Sequence, residues 1–151
     1  MKDTVVTIIS YIDAGPEKVW ETLISPNGLW KAWYGAWIDS NFKPGDKIAF
    51  LGPGVDGEKT VHIYGEVLAY EYRKTLSYFE HPGPSYKPDH ADLQARITWN
   101  FEPAADCTKL TLVIDQWSKN HYSQPTALND WSTVVSILKS FVETGKILKT
   151  A

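Results

Sequence analysis

Glu80 and the four histidines are the residues whose types and positions bear most directly on chemistry. Glu80 ends a run, Thr75 to Glu80, in which Leu76 and Tyr78 face together. Continued alternation turns its carboxyl to the same side. A glutamate buried there keeps its proton to higher pH and can serve as an acid or base. Left in water at a strand end, it is an ordinary carboxylate. No catalytic residue is assigned; Glu80 is the candidate, with a cavity tyrosine as its alternative. His81 and His90 are nine residues apart, with Asp89 and Asp92 close by. That matches no established ligand spacing, so no metal is expected. His62 lies on the strand face opposite Val61 and Ile63 and is expected to be exposed. His121 precedes the last helix and is placed at the mouth of a cavity. Cys107 is the single cysteine, which excludes an internal disulfide and a cysteine-rich metal site. No Gly-x-Ser-x-Gly elbow supplies a nucleophile. Gly52, Gly54 and Gly57 lack the following helix and Lys-Ser/Thr of a phosphate loop. No cofactor is expected.

The elements that would position these groups are legible from period and punctuation. Leu128, Trp131, Val135, Leu138 and Val142 recur at three- or four-residue steps, and Val134 and Phe141 widen the stripe. This predicts an amphipathic helix from Ala127 to Lys149. A helix of roughly twenty residues is about 30 Å long, enough to cross a small domain. Thr4 to Ile12 is rich in β-branched residues and predicts a strand. Pro16, and Pro26 after Ser25, suit the first position of short helices carrying Val19, Trp20 and Leu23, then Leu29, Trp30 and Trp33. From Ala36 the period changes to two. Strands are predicted over 36–42, 47–51, 60–70, 75–80, 93–101 and 108–117. The turn at Lys43-Pro44-Gly45-Asp46 joins the first pair. Gly65 in mid-strand predicts a bulge or bend. His81 to Asp92, with three prolines, is the longest stretch without a period. The order β-αα-β6-α, with short connections, predicts an α+β fold with an antiparallel sheet.

The 151 residues point to one domain, 1–151. A net charge of −3 with no basic run speaks against nucleic-acid binding. No stretch approaches the roughly 18 apolar residues of a membrane helix. The opening MKDTVVTIIS lacks a signal-peptide core, so a cytoplasmic location is expected. Aromatic residues make up 13%, including seven Trp and eight Tyr, enough to fill a bulky core or line a flat-walled cavity.

The chain resembles the START/Bet v 1-like (SRPBCC) helix-grip superfamily, and within it the activator of Hsp90 ATPase homologue 1-like family. Ala14-Gly15-Pro16-Glu17-Lys18-Val19-Trp20 resembles that family's opening helix. Leu29-Trp30-Lys31-Ala32-Trp33-Tyr34 resembles its aromatic second helix. Phe42-Lys43-Pro44-Gly45-Asp46 resembles its strand–turn, with Asp46 in place of a second glycine. Gly65-Glu66-Val67-Leu68, Leu76-Ser77-Tyr78 and Thr108-Lys109-Leu110-Thr111-Leu112 resemble its later strands. Asp130-Trp131, Leu138-Lys139 and Glu143-Thr144-Gly145-Lys146 resemble its closing helix.

The resemblance implies a curved antiparallel sheet wrapped around the long C-terminal helix, with an internal cavity between them. By alternation the cavity residues are Phe50, Ile63, Tyr78, Trp99, Ile114 and Gln116, with Trp131 and Val135 from the helix and Trp33 closing one end. Such a lining suits a small hydrophobic or aromatic ligand held without catalysis. The alternatives are a cyclase- or hydrolase-type enzyme using cavity polar groups, and an Hsp90-type chaperone-associated interaction module. The oligomeric state is left between monomer and homodimer. Fold alone does not fix function.

Overall fold

The computed structural model describes residues 4–150. Its strands are β1 (Val6–Ile12), β2 (Trp37–Ser40), β3 (Lys47–Pro53), β4 (Lys59–Glu71), β5 (Thr75–Pro82), β6 (Ala95–Ala104) and β7 (Cys107–Asp115). Helices α1 (Pro16–Ile24) and α2 (Leu29–Tyr34) follow β1, and α3 (Ala127–Thr144) closes the fold. The seven strands form one sheet in the order β1-β7-β6-β5-β4-β3-β2, and every neighbouring pair is antiparallel. This is the expected α+β helix-grip architecture. No helix among the described residues is long and apolar enough to cross a membrane.

Alternation decides which face is buried. Ala95, Ile97, Trp99 and Phe101 of β6 and Leu110, Leu112 and Ile114 of β7 turn inward and are buried. Val135, Leu138 and Val142 of α3 join them in the core. Helix α3 is fastened to the start of the chain. Lys139 Nζ donates to the Tyr11 carbonyl at 2.7 Å, and Glu143 Oε2 accepts from the Asp13 N–H at 2.7 Å. Leu128, expected on the apolar stripe, is exposed, and Ala127 takes the buried place one residue earlier. The helix ends at Gly145, whose φ of 76° is left-handed and whose N–H donates to the Phe141 carbonyl. A Cβ meets no obstacle there, so the cost of one is conformational. Gly145→Ala should lose about 1 kcal/mol of unfolding free energy in urea denaturation.

Two register shifts curve the sheet and redirect side chains. Phe50 pairs with Ile63 while Leu51 pairs with Val61, so His62 is the extra residue on β4. Val67 pairs with Tyr78 while Ala69 pairs with Ser77, so Leu68 is a second extra residue. Simple alternation puts Tyr70 with His62 on the outer face. The second bulge instead turns Tyr70 toward the buried Trp20, ring centroids 5.5 Å apart. Gly65, where the sequence suggests a bulge or bend, lies between the two shifts and serves a close approach. A Cβ there would stand 1.6 Å from the Phe79 carbonyl oxygen of β5.

Candidate functional site

The concave face opens at the end of the sheet where β4 and β5 begin and end, and the chain there supplies most of the polar chemistry. Glu80, two residues beyond the buried Tyr78, sits on this face. Its partners across the ladder are Gly65 on β4 and Ala95 on β6. Neither carries a side chain long enough to cover it, so the carboxyl forms part of the floor of a cleft. Ile63 and Pro82 form the next rung. The cleft of about 490 Å³ is lined by His62, Ile63, Glu80, Pro82, Tyr86, Lys87, His121, Tyr122 and Ser123. A second lobe of about 270 Å³ shares His62, Ile63 and Tyr86 and is completed by Trp30, Tyr34, Ala36 and Phe50. One lobe is therefore partly polar and the other almost wholly apolar, with His62, Ile63 and Tyr86 where they meet.

Three segments wall this cleft. Helix α2 brings Trp30, with Trp33 and Tyr34 in a stacked row (centroids 6.0 and 4.5 Å apart). The segment after β5 folds over and is held to the sheet through histidines. His62 Nδ1 bonds the Tyr86 hydroxyl, His90 Nδ1 bonds the Tyr64 hydroxyl, and His81 Nδ1–H donates to the Leu93 carbonyl at 2.8 Å. The chain after β7 makes the third wall. Gln116 has a φ of 50°, which breaks the strand there. Gln116, expected to face inward, is exposed for that reason, and Trp117 turns in beside His121 with centroids 5.1 Å apart. His121 stacks on Tyr122, and Lys87 Nζ lies 4.2 Å from the centre of the Tyr122 ring.

The electrostatics of the floor are set by desolvation. Burial pushes the Glu80 carboxyl up to about 8. The residue as a whole is only partly covered, but its Oε2 is sealed from water and has no hydrogen-bond partner. The oxygen's burial governs the titration. Burial, and then the neighbouring Glu80, push the Tyr78 hydroxyl up as well, and the same two causes raise Tyr122. Burial, and then the proximity of His81, hold His121 below the usual imidazole value. The Ser123 N–H donates to His121 Nδ1 at 3.2 Å, which places the imidazole proton on Nε2. Trp30 Nε1 is buried without a partner, as is Trp117 Nε1. Such orphaned polar atoms are uncommon in folded proteins.

The structure distributes the expected cavity residues unevenly. Phe50 and Ile63 line the cleft, and Trp33 stacks behind Trp30. Tyr78 lies behind Phe50, ring centroids 6.0 Å apart, and the Trp99 Nε1–H approaches the Tyr78 hydroxyl at 3.5 Å. Trp99, Ile114 and Val135 are packed as core, and Trp131 meets Trp99 edge to face at 6.1 Å. His62, expected outside, is half-buried because the bulge directs it and Ile63 into the same cleft. Tyr86, Lys87 and Tyr122 come from segments without a period, so only their aromatic or cationic type hinted at them. Among the described residues no group of three or more His, Cys, Asp or Glu is arranged to hold a metal ion.

A family model described as "Activator of Hsp90 ATPase homolog 1-like protein" matches residues 13–143. No curated protein matches the sequence significantly. Among solved structures, a Cytophaga hutchinsonii protein superposes with a TM-score of 0.75 at 24% identity, covering 96% of this chain and 98% of its own. A Mesorhizobium loti protein gives 0.71 at 23% identity, covering 95% and 100%. The Aha1 dimer from Colwellia psychrerythraea gives 0.67 at 19% identity, covering 95% and 98%. At these identities the structural likeness speaks for the fold alone.

Proposed function

The chain belongs to the activator of Hsp90 ATPase homolog 1-like family, and on that footing we propose that it binds a small hydrophobic or aromatic molecule without transforming it. The ligand sits in the two-lobed cleft, its body against Trp30, Phe50 and Ile63 and its polar end toward Glu80 and His121. The observation that carries this reading is the lining: an apolar lobe continuous with a floor holding a sealed, unpartnered carboxyl oxygen. Small-molecule sites have this composition, mostly apolar with a few convergent polar groups. Titrating aromatic compounds against tryptophan fluorescence tests it, because Trp30 stands in the wall. Ile63→Glu places a charge where the lobes meet and should weaken binding about ten-fold or more. Binding unaffected by this substitution would place the ligand elsewhere.

A cyclase- or hydrolase-type enzyme is the second reading, favoured by a Glu80 carboxyl poised near neutrality. A nucleophilic mechanism fits the site less well. Ser123 Oγ and His121 Nδ1 are 3.0 Å apart, but the Ser123 backbone N–H donates to that same nitrogen, as in a local turn. Glu80 has no hydrogen bond with which to orient the imidazole. Turnover of an ester or polyketide-like substrate that Glu80→Gln abolishes would establish the enzyme reading instead. The family description supports an Hsp90-type interaction module, and retention of an Hsp90-type partner on the immobilised protein is its test. The solved Aha1 dimer supports a homodimer as one assembly state of this chain.

A further inference from the structure

We propose that the molecule held in this cleft presents hydrogen-bond-accepting oxygen, as a carboxylate or a ketone carbonyl on an aromatic body, and carries no ammonium group. The proposal rests on the binding reading above and specifies the chemistry of its ligand.

It follows from counting what the walls offer. His121 Nδ1 is occupied by the Ser123 N–H, so Nε2 carries a proton, and Nε2 makes no hydrogen bond to any described residue. The Trp30 indole N–H is buried with no acceptor. The Lys87 ammonium stands at the mouth, over the Tyr122 ring, and makes no ion pair with any carboxylate among the described residues. The tyrosine hydroxyl at the junction of the lobes, that of Tyr86, is already bonded to His62. Of the free polar groups on these walls, the His121 Nε2–H, the Trp30 indole N–H and the Lys87 ammonium can only donate, whereas the Tyr34 and Tyr122 hydroxyls can donate or accept. The floor group is the only carboxyl lining either lobe. Burial keeps Glu80 largely protonated at neutral pH, so it too has an O–H to give.

An acceptor oxygen at the polar end suits the His121 Nε2–H, the Glu80 O–H and the positive charge of Lys87. An ammonium ligand would leave the donors unpaired, would face Lys87, and would require Glu80 to ionise in a desolvated place. Leaving buried partners unmade is what makes a polar site discriminate.

The test uses matched ligands on benzene, naphthalene and biphenyl bodies, each carrying a carboxylate, a methyl ketone, an aminomethyl or a methyl group. Affinities are measured by calorimetry on the full chain at about pH 6.5, where Glu80 is protonated. The carboxylate and ketone should bind about ten-fold or more tighter than the amine and the methyl control on the best-fitting body. Lys87→Met should weaken the carboxylate and spare the ketone. His121→Phe should weaken both, and Lys87, partly exposed, provides the variant least apt to disturb folding. An amine that binds as well or better overturns the inference, with Glu80 acting as a counter-ion. Equal affinity for all four groups also overturns it, leaving an apolar site and the binding reading intact. Binding of none of them overturns the binding reading itself, and this inference with it.

Discussion

Glu80→Gln should stabilise the protein at alkaline pH and leave it nearly unchanged in acid. The unfolded chain releases this proton near 4.5, whereas the folded protein holds it to about 8. Between those values the native state binds the extra proton, so stability is greatest below 4.5 and falls as pH rises through 8. A ten-fold change in proton affinity corresponds to about 1.4 kcal/mol, so the ionised carboxylate costs the fold on the order of 3–5 kcal/mol at about pH 9. The amide has the same shape, never ionises, and removes this slope. Its thermal midpoint should exceed that of the parent by on the order of 10 °C at about pH 9, and match it closely at about pH 4. Parallel melting profiles at both ends of the range would show that Glu80 is hydrated in the folded state. The retained carboxyl is therefore a stability cost of the kind found where function requires a group.

Gly65→Ala should have the opposite character, a large loss at every pH. The added methyl would lie 1.6 Å from the Phe79 carbonyl oxygen and 2.7 Å from its carbon, both backbone atoms of the paired strand. No rotamer change relieves that overlap, so β4 and β5 must separate. Ordinary overpacking costs about 1–3 kcal/mol, and a backbone collision in a central strand should reach or exceed about 3 kcal/mol. Gly65 also faces Glu80 across the ladder. A shift here would disturb the cleft floor, so ligand affinity should fall with stability. Chemical denaturation of the variant against the parent measures the first effect, and wild-type stability would show that the strands have room to give.

The fold was legible because it rests on periods. The three-four spacing of Trp131, Val135, Leu138 and Val142 finds α3, and the alternation of Ile97, Trp99 and Phe101 finds a core strand. Period two fails wherever the backbone inserts a residue or leaves the extended region. The extra residue at His62 turns an expected surface histidine into the cleft, and the second at Leu68 turns one side of Tyr70, still exposed on the other, against Trp20. The left-handed Gln116 ends β7 early and exchanges Gln116 for Trp117. No local sequence signal marks these three places, since none is a glycine. Of these three places only the His62 bulge lines the cleft, and the unpatterned segments carrying Tyr86, Lys87, His121 and Tyr122 supply much of the rest. Phe50, Ile63 and Glu80 were accessible to pattern reasoning, Glu80 because it continues the face of Leu76 and Tyr78 before any irregularity intervenes.

The most direct test of ligand placement is an NMR titration of the isotope-labelled protein with 2-acetylnaphthalene, following backbone amides and tryptophan indole N–H signals. Ligand in the end cleft should move the Trp30 indole signal and the amides of His62, Tyr86 and His121, leaving Trp131 and Val135 of α3 little changed. Shifts concentrated at Trp131 and Val135, with the Trp30 indole and His121 unmoved, would contradict the account and place the ligand between sheet and helix.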